Sequence, residues 1–291
     1  MNMNQDFIYW MQTKIDHINP ILTAHFSARH FAIAPNMTNA TLYPLHTGGK
    51  RIRPLFVYAA AEAFPITAKQ YDYCDIVAKA IEFVHTYSLV HDDLPCMDDD
   101  DERRGKPTVH KVYREGPAVL IGDTLLTEAF ASCAQLPADI LHHVLPILSN
   151  SAGLGGMIGG QSLDIGFEKE ITTVDDLERL HEAKTGALIQ CAVEMGGICV
   201  GVSLEQQKLL RDYGRLVGLA FQLADDVLDA EEDAEKNKLG DGPPNFVACL
   251  GMEETRQRAQ SYVEKAKSLV AEFPNPIALQ QLATFAIDRT F

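Results

Sequence analysis

The sequence lacks any apolar run of about eighteen residues, the length that a membrane-spanning helix needs. Its N-terminus also lacks the basic start and apolar core of a secretory signal. Basic residues are few, with 25 lysines and arginines against 40 acidic residues and a formal net charge of −15. Nucleic-acid-binding proteins normally have a basic surface. We therefore predict a cytoplasmic protein with no membrane span and no nucleic-acid partner.

Cysteine pairs and strand patterns are also missing. The six cysteines are scattered with no C-x-x-C pair, which favours buried free thiols over disulfides or zinc. No alternating β-branched run is bounded by turn residues. Apolar residues recur instead at helical spacing, as along 209–221, and Pro- and Gly-rich breaks such as 31–49 and 151–161 separate the helical segments. We predict a single all-α domain over residues 1–291 with ten or more helices.

Acidic residues, by contrast, are concentrated at two places within apolar segments. The stretch HDDLPCMDDDDERRGKPT (91–108) has the pattern D-D-x-x-x-x-D at the predicted end of a long amphipathic helix, and DDVLD (225–229) lies within another. The carboxylates of these two motifs are Asp92, Asp93, Asp98, Asp225, Asp226 and Asp229. A solvated acidic surface is the ordinary alternative. It is weaker here because the motifs interrupt the apolar stripes.

Carboxylates at this density suit a hard divalent cation. Asp225 and Asp229 are four positions apart and share one helix face. Magnesium commonly takes one or two carboxylates together with waters and substrate phosphates. Calcium is the nearest rival, but the sequence does not match the EF-hand spacing.

Basic residues near these motifs indicate an anionic ligand. GGKRIRP (48–54) places Lys50, Arg51 and Arg53 after two glycines at a predicted helix start, where anions are favoured. Arg103 and Arg104 follow the first acidic motif. Taken singly, each cation is as compatible with a solvated surface. Together with the acidic motifs and the apolar residues around them, they predict a ligand with a diphosphate head and an apolar tail.

The sequence resembles the short-chain trans-isoprenyl diphosphate synthase family, and most closely its bacterial farnesyl-producing members. Six stretches match the family's motifs in order over about 48–229: GGKRIRP, HTYSLVHDDLPCMDDDDERRGKPT, GDTLLTEAF, GGQSLDI, HEAKTGALI and GLAFQLADDVLD. The resemblance implies a bundle of mostly antiparallel helices around a central cavity, usually as a homodimer. It also implies a magnesium-dependent prenyltransferase whose substrates are isopentenyl diphosphate and an allylic diphosphate.

The resemblance assigns roles to particular residues. The six aspartates of the two acidic motifs would hold three magnesium ions, for which manganese is a possible substitute. Lys50, Arg53, His85 and Arg104 would bind isopentenyl diphosphate. Arg103, Lys184, Thr185 and Gln222 would bind the allylic diphosphate, and Thr185 and Gln222 would also face the developing cation. For His85, a hydrogen-bonded core histidine is the alternative.

Product length should depend on the residues one to two helical turns before Asp92. Tyr87 and Ser88 occupy these positions, and by the resemblance an aromatic residue there limits the product to fifteen carbons. Ordinary helix packing is an equal alternative for Tyr87. The sequence therefore predicts a farnesyl diphosphate synthase. Geranyl or geranylgeranyl diphosphate remains an open product, and a non-catalytic partner subunit remains an open class.

One segment departs from the family pattern. After Asp229 the family has a lysine-containing motif, but this chain has the shorter AEEDAEKNKLGDGPPNFVACLG, in which NFVACLG replaces that motif. Lys236 or Lys238 is a candidate substitute for the missing diphosphate contact.

Overall fold

The structure is a computed structural model that describes residues 5–27, 33–168, 170–235 and 245–288. Regular structure in these residues is almost entirely helical, which confirms the all-α prediction. The helices are α1 (Gln5–Ser27), α2 (Pro35–His46), α3 (Ile52–Glu62), α4 (Ala68–Asp92), α5 (Val109–Tyr113), α6 (Glu115–Cys133), α7 (Ala138–Ala152), α8 (Met157–Asp164), α9 (Val174–His181), α10 (Ala187–Val200), α11 (Leu204–Glu235), α12 (Phe246–Leu250), α13 (Met252–Leu269) and α14 (Ile277–Phe285). A π-helical turn, Glu182–Gly186, joins α9 to α10. A two-residue hairpin, β1 (Glu102–Arg103) with β2 (Lys106–Pro107), follows the first acidic motif.

The chain forms two compact units, and the first comprises Met1–Tyr58 and Thr67–Leu145. In this unit α4 packs along α6, and α1 packs against α2. Its core includes large, fully buried side chains such as Phe26, Tyr58 and Phe83. The acidic residues of the first motif and the GGKRIRP segment both belong to this unit.

The second unit comprises Ala59–Ile66 and Pro146–Phe291. Its centre is α11, which packs against α10 and α13. Leu177, Leu223, Phe246 and Ala259 form one buried apolar cluster of this unit. The DDVLD motif lies on α11 and therefore belongs to this unit. The prediction of one domain over 1–291 stays a prediction.

Local sequence signals explain where helices begin and end. Thr67 and Gln70 form a reciprocal cap at the start of α4, which satisfies backbone donors that the first turn leaves unpaired. The sequence prediction of a break over 31–49 was wrong for α2. Pro35 begins that helix at a position where a missing N–H costs nothing, so the prolines here do not prevent a helix.

All six cysteines are free, but Cys96 and Cys249 are exposed, so the prediction of buried thiols is wrong for these two. Cys96 lies in the turn after α4, and Cys249 lies in the five-residue helix α12. Among the described helices, none combines the length and the apolar character that a bilayer crossing requires.

A buried ion pair fixes the approach to α3 in the first unit. Arg51 has φ +49° and is 5% exposed, and its guanidinium donates to Glu82 Oε1 at 2.9 Å. The same group donates to Asn19 Oδ1 at 2.9 Å and to the Leu45 carbonyl at 2.6 Å. A buried charge requires partners of this kind, since its desolvation is otherwise uncompensated. Arg51 thus has a structural role and holds the GGKRIRP turn against α1, α2 and α4.

Replacing Glu82 by Ala should destabilise the protein because it leaves the Arg51 charge buried without its counter-ion. We expect the free energy of unfolding, measured by urea denaturation, to fall by about 3–5 kcal/mol. Glu82→Gln keeps a neutral acceptor and should lose less. The control Glu264→Ala removes an exposed pair with Lys267 and should cost less than about 1 kcal/mol. Equal losses for Glu82→Ala and Glu264→Ala would contradict the structural role of the pair.

Candidate functional site

The first acidic motif lies where α4 ends. Asp92 is the last helical residue, and the chain turns over the next residues because Pro95 cannot continue the helical hydrogen-bonding pattern. The Asp98 N–H donates to the Asp92 carbonyl at 2.8 Å, so this turn brings the two residues together. Asp98 is therefore exposed on a turn beside the helix end rather than on the helix. Asp92 is partly buried.

Asp93 differs from its neighbours because it is buried and ion-paired. The residue is 2% exposed, and its Oδ1 lies 2.6 Å from Arg103 Nη2 and 2.7 Å from Arg103 Nε. Burial raises the pKa of Asp93, and Arg103 opposes this rise. For Arg103, burial alone lowers the pKa, but the hydrogen bond and charge of Asp93 raise it above its usual value. In this structure Asp93 and Arg103, which were predicted to bind metal and diphosphate, bind each other.

The two glycines before Lys50 make room for Arg104. Gly48 and Gly49 have φ values of +84° and +135°, which favour glycine. The Arg104 guanidinium donates to the Gly48 carbonyl, and a Cβ on Gly49 would lie 2.5 Å from its Nη1. The GGKRIRP turn and the hairpin of the first motif therefore meet through Arg104.

A group of cations surrounds His85 in the same unit. Burial, followed by the charges of Arg53 and Arg104, holds the pKa of His85 well below its usual value, so the imidazole is neutral at pH 7. Burial also lowers the pKa of Arg53 to about 10, which leaves it charged at pH 7. Within the described chain, Arg53 Nε is buried without a hydrogen-bond partner. Lys50, three positions before Arg53 in the sequence, is exposed. The structure thus gathers three of the predicted isopentenyl diphosphate ligands, Arg53, His85 and Arg104. An anion that reached this group would find Arg53 Nε without an acceptor among the described residues.

Asp226 of the second acidic motif ends a row of hydrogen bonds that runs from Thr185 through Gln222. Thr185 Oγ1 donates to Gln222 Oε1 at 3.3 Å, and Gln222 Nε2 donates to Asp226 Oδ1 at 3.0 Å. The Phe246 N–H donates to Asp226 Oδ2 at 2.7 Å. Asp226 is 6% exposed, and burial raises its pKa while these two donors oppose the rise. Asp225 is partly buried and Asp229 is exposed.

Close backbone packing positions the π-helical turn that carries Lys184 and Thr185. A Cβ on Gly218 of α11 would lie 2.6 Å from the Gly186 Cα, so only glycine permits this approach. Lys184 Nζ lies 2.5 Å from Asp164 Oδ2 at the end of α8. Asp164 was not among the predicted site residues, although it is the one acidic residue of the GGQSLDI motif.

Tyr87 and Ser88 occupy different surroundings on α4. Tyr87 is 5% exposed, and its hydroxyl is buried with no hydrogen-bond partner among the described residues. Burial, with a contribution from Asp92, raises its pKa to about 12. The Tyr87 ring contacts the His91 ring edge-on at a centroid distance of 5.7 Å. Ser88 Oγ donates to the His85 carbonyl at 2.9 Å and therefore bonds within its own helix.

The residues present can hold a divalent metal. The donor set consists of carboxylate oxygens, which are the hard ligands that magnesium prefers. Beyond the six aspartates, Asp99, Asp101 and His110 offer ligand atoms within 4.8 Å of one another, although Lys111 Nζ lies 2.5 Å from Asp101 Oδ1. Lys236 and Lys238 lie outside the described residues.

The fold and these motifs define a polyprenyl synthetase. The family model described as Polyprenyl synthetase matches residues 34–275, and the chain belongs to this family. The farnesyl diphosphate synthase of Escherichia coli is 36% identical over 300 residues, which cover 98% of this chain and 99% of that protein.

Two solved structures share the fold over nearly the whole chain. An FPP/GFPP synthase from Zymomonas mobilis, in its apo form, has a TM-score of 0.87 and 32% identity, with 97% of this chain and 99% of that chain covered. A geranyltransferase from Helicobacter pylori, complexed with magnesium and isoprenyl diphosphate, has a TM-score of 0.81 and 32% identity, with 99% of both chains covered.

The contact between Gly218 of α11 and Gly186 of the π-helical turn should be essential for the row of hydrogen bonds that links Thr185, Gln222 and Asp226. Gly218→Ala places a methyl group against the Gly186 backbone and should separate Thr185 from Gln222. We expect a stability loss of about 1–3 kcal/mol by urea denaturation, together with lower activity. The control Gly116→Ala, where a Cβ meets no atom within 4 Å, should change stability by less than about 1 kcal/mol. Retained stability and activity in Gly218→Ala would show that the contact is dispensable.

Proposed function

We propose that this chain is a magnesium-dependent prenyltransferase that makes (2E,6E)-farnesyl diphosphate. It condenses isopentenyl diphosphate first with dimethylallyl diphosphate and then with geranyl diphosphate. The observation that carries the proposal is the group of arginines, Arg53 and Arg104, around neutral His85 in the same unit as the D-D-x-x-x-x-D motif. A protein that only stored metal would need the carboxylates but not this second, positively charged site.

Isopentenyl diphosphate is assigned to Lys50, Arg53, His85 and Arg104. Arg53 and Arg104 supply planar guanidinium groups that match phosphate oxygens, and the exposed Lys50 supplies an ammonium group. The neutral imidazole of His85 can still donate one N–H to a phosphate oxygen. Support comes from the crowding itself, because a dianion would relieve the repulsion among these cations.

The allylic diphosphate is assigned to the two acidic motifs with their magnesium, together with Arg103, Lys184, Thr185 and Gln222. We propose three magnesium ions held by the two motifs, with manganese as a possible substitute. Bound magnesium stabilises negative charge on a diphosphate leaving group. Lys184 is close to Asp164 and Arg103 is close to Asp93, so each cation is held in place by a carboxylate before substrate binds.

In the reaction, the chain's own residues stabilise charge, position the substrates and exclude water. The allylic carbon–oxygen bond breaks, and its electron pair leaves with the diphosphate. The cationic side chains stabilise that charge most in the transition state. The Thr185 and Gln222 oxygens face the allylic cation while the double bond of isopentenyl diphosphate forms the new carbon–carbon bond. The proton released from that carbon skeleton goes to the departing diphosphate. Apolar neighbours exclude water, which would otherwise quench the cation.

A homodimer in the cytoplasm is the assembly and location that we propose. The exposed apolar side chains of α6, Val119 and Leu120, offer a surface for a second copy.

Incubation of the purified protein with isopentenyl diphosphate and each of three allylic diphosphates tests the function. We expect magnesium-dependent release of inorganic diphosphate and a C15 product from the dimethylallyl and geranyl substrates, identified by chromatography. A farnesyl substrate should give little extension. A C10 or C20 product would favour a geranyl or geranylgeranyl synthase. The absence of the family lysine in NFVACLG supports a second candidate, a non-catalytic partner subunit, and no diphosphate release with any allylic substrate would favour it.

Tyr87 should set the product length if its ring blocks the growing chain. Tyr87→Ala removes the buried ring and should shift the product beyond C15. Tyr87→Phe is the matched control, because it removes only the unpartnered hydroxyl and keeps the ring, and it should still give C15. Product chain lengths measured by chromatography check this. An unchanged C15 product from Tyr87→Ala would assign Tyr87 to ordinary helix packing.

A further inference from the structure

Asp226 occupies a position that differs from that of a typical magnesium ligand. It is 6% exposed, and each of its carboxylate oxygens already accepts a hydrogen bond from the protein, from Gln222 and from Phe246. Magnesium dehydrates reluctantly and usually keeps several waters. A buried carboxylate that is already held by two donors is poorly placed for such an ion.

The charge of Asp226 determines which way the Gln222 amide points. A carboxylate can only accept hydrogen bonds, so the Gln222 NH₂ group must face Asp226. The Gln222 carbonyl oxygen is then turned to Thr185, whose hydroxyl donates to it at 3.3 Å. Gln222 and Asp226 are one helical turn apart on α11, where residues at this spacing are neighbours. The polarity of the amide is therefore fixed by its neighbour rather than by Gln222 itself.

The second contact of Asp226 reaches a distant part of the sequence. The Phe246 N–H is buried, and Asp226 Oδ2 satisfies it at 2.7 Å. Phe246 is fully buried at the start of α12, and the preceding residue, Asn245, caps that helix by accepting the Ala248 N–H on its Oδ1 at 2.8 Å. This contact lies in NFVACLG, the stretch that departs from the family pattern.

We propose that Asp226 is a positioning residue that orients the Gln222 carbonyl oxygen toward the reacting carbon and anchors Phe246, and that it is not a metal ligand. The proposal rests on the proposed function, since it concerns the reaction assigned to Gln222. A carbonyl oxygen that points at a developing carbocation stabilises it, whereas an NH₂ group in the same place would oppose it.

The variant Asp226→Asn separates orientation from simple loss of the side chain. The new amide must keep its oxygen on the Phe246 N–H, so its NH₂ group faces Gln222 and forces the Gln222 amide to reverse. We expect kcat to fall by roughly 100-fold or more, the loss typical of one preorganised group in an active site. The KM for either diphosphate and the magnesium concentration for half-maximal rate should stay near their original values.

A paired exchange provides the rescue. In Gln222→Glu with Asp226→Asn, the new carboxylate can accept from the new amide and from Thr185, so an oxygen again faces Thr185. We expect this double variant to recover most of the lost kcat. Gln222→Glu alone sets two carboxylates against each other and should lower kcat. The coupling between the two positions is therefore expected to be strongly non-additive.

Asp225→Asn is the matched comparison for metal binding, because it changes the neighbouring carboxylate on the same helix. It should raise the half-saturating magnesium concentration by about ten-fold or more. An equal rise in Asp226→Asn would overturn the proposal and make Asp226 a ligand. An unchanged kcat in Asp226→Asn, or no recovery in the double variant, would also overturn it.

Amide hydrogen exchange tests the anchor without any turnover, and so distinguishes a failure of this proposal from a failure of the proposed function. Asp226→Ala removes the acceptor of the Phe246 N–H and should speed exchange in a peptide covering 245–250. Asp226→Asn should retain the protection. Equal exchange in the original protein and Asp226→Ala would refute the anchor, whether or not the chain condenses prenyl substrates.

Discussion

Adjacent carboxylates repel each other, and the two acidic motifs each contain such a pair. In both motifs the second aspartate is buried and held by donors of the protein. Arg103 holds Asp93, while Gln222 and the Phe246 N–H hold Asp226. The first aspartate of each pair stays less buried. The second aspartate of each pair is removed from water, and the protein's donors satisfy its charge. The first aspartate keeps more contact with solvent, so its carboxylate is the one that an added cation can reach.

The positive groups of the first unit face the opposite constraint. Arg51 is fully compensated by Glu82 and neighbouring acceptors, but Arg53 and Arg104 lie near one another and near a histidine that burial and their charges keep neutral. Such crowding lowers the stability of the unliganded state and favours an anion that carries more than one charge. The GGKRIRP segment therefore contains one arginine, Arg51, that serves the fold and another, Arg53, that suits a diphosphate.

Helical periodicity and ordered motifs predicted the fold class and the residues of the candidate site, because both are local properties of the sequence. The partners of those residues could not be predicted in the same way. Phe246 lies twenty positions beyond Asp226, and it donates its backbone N–H to that carboxylate. Nearly every residue has such an N–H, so the sequence does not reveal which one Asp226 will bind. The pairing of Lys184 with Asp164 likewise depends on how α8 meets the π-helical turn. The helix α2 was missed because proline was taken as a break, although Pro35 stands where a helix accepts it.

Gly186 and Gly218 show why the polar row in the second unit can be precise. Backbones that touch without intervening side chains have little freedom to slide, since any shift would open a void or create a clash. The hydroxyl of Thr185 is next in sequence to one of these glycines, and Gln222 is one turn beyond the other. Their hydrogen bond thus inherits its geometry from a backbone contact rather than from side-chain packing. Because this backbone contact already fixes where Thr185 and Gln222 lie, few other residues are needed to orient the Gln222 amide. The single buried carboxylate of Asp226 is therefore sufficient to set the direction of the hydrogen bonds from Thr185 through Gln222.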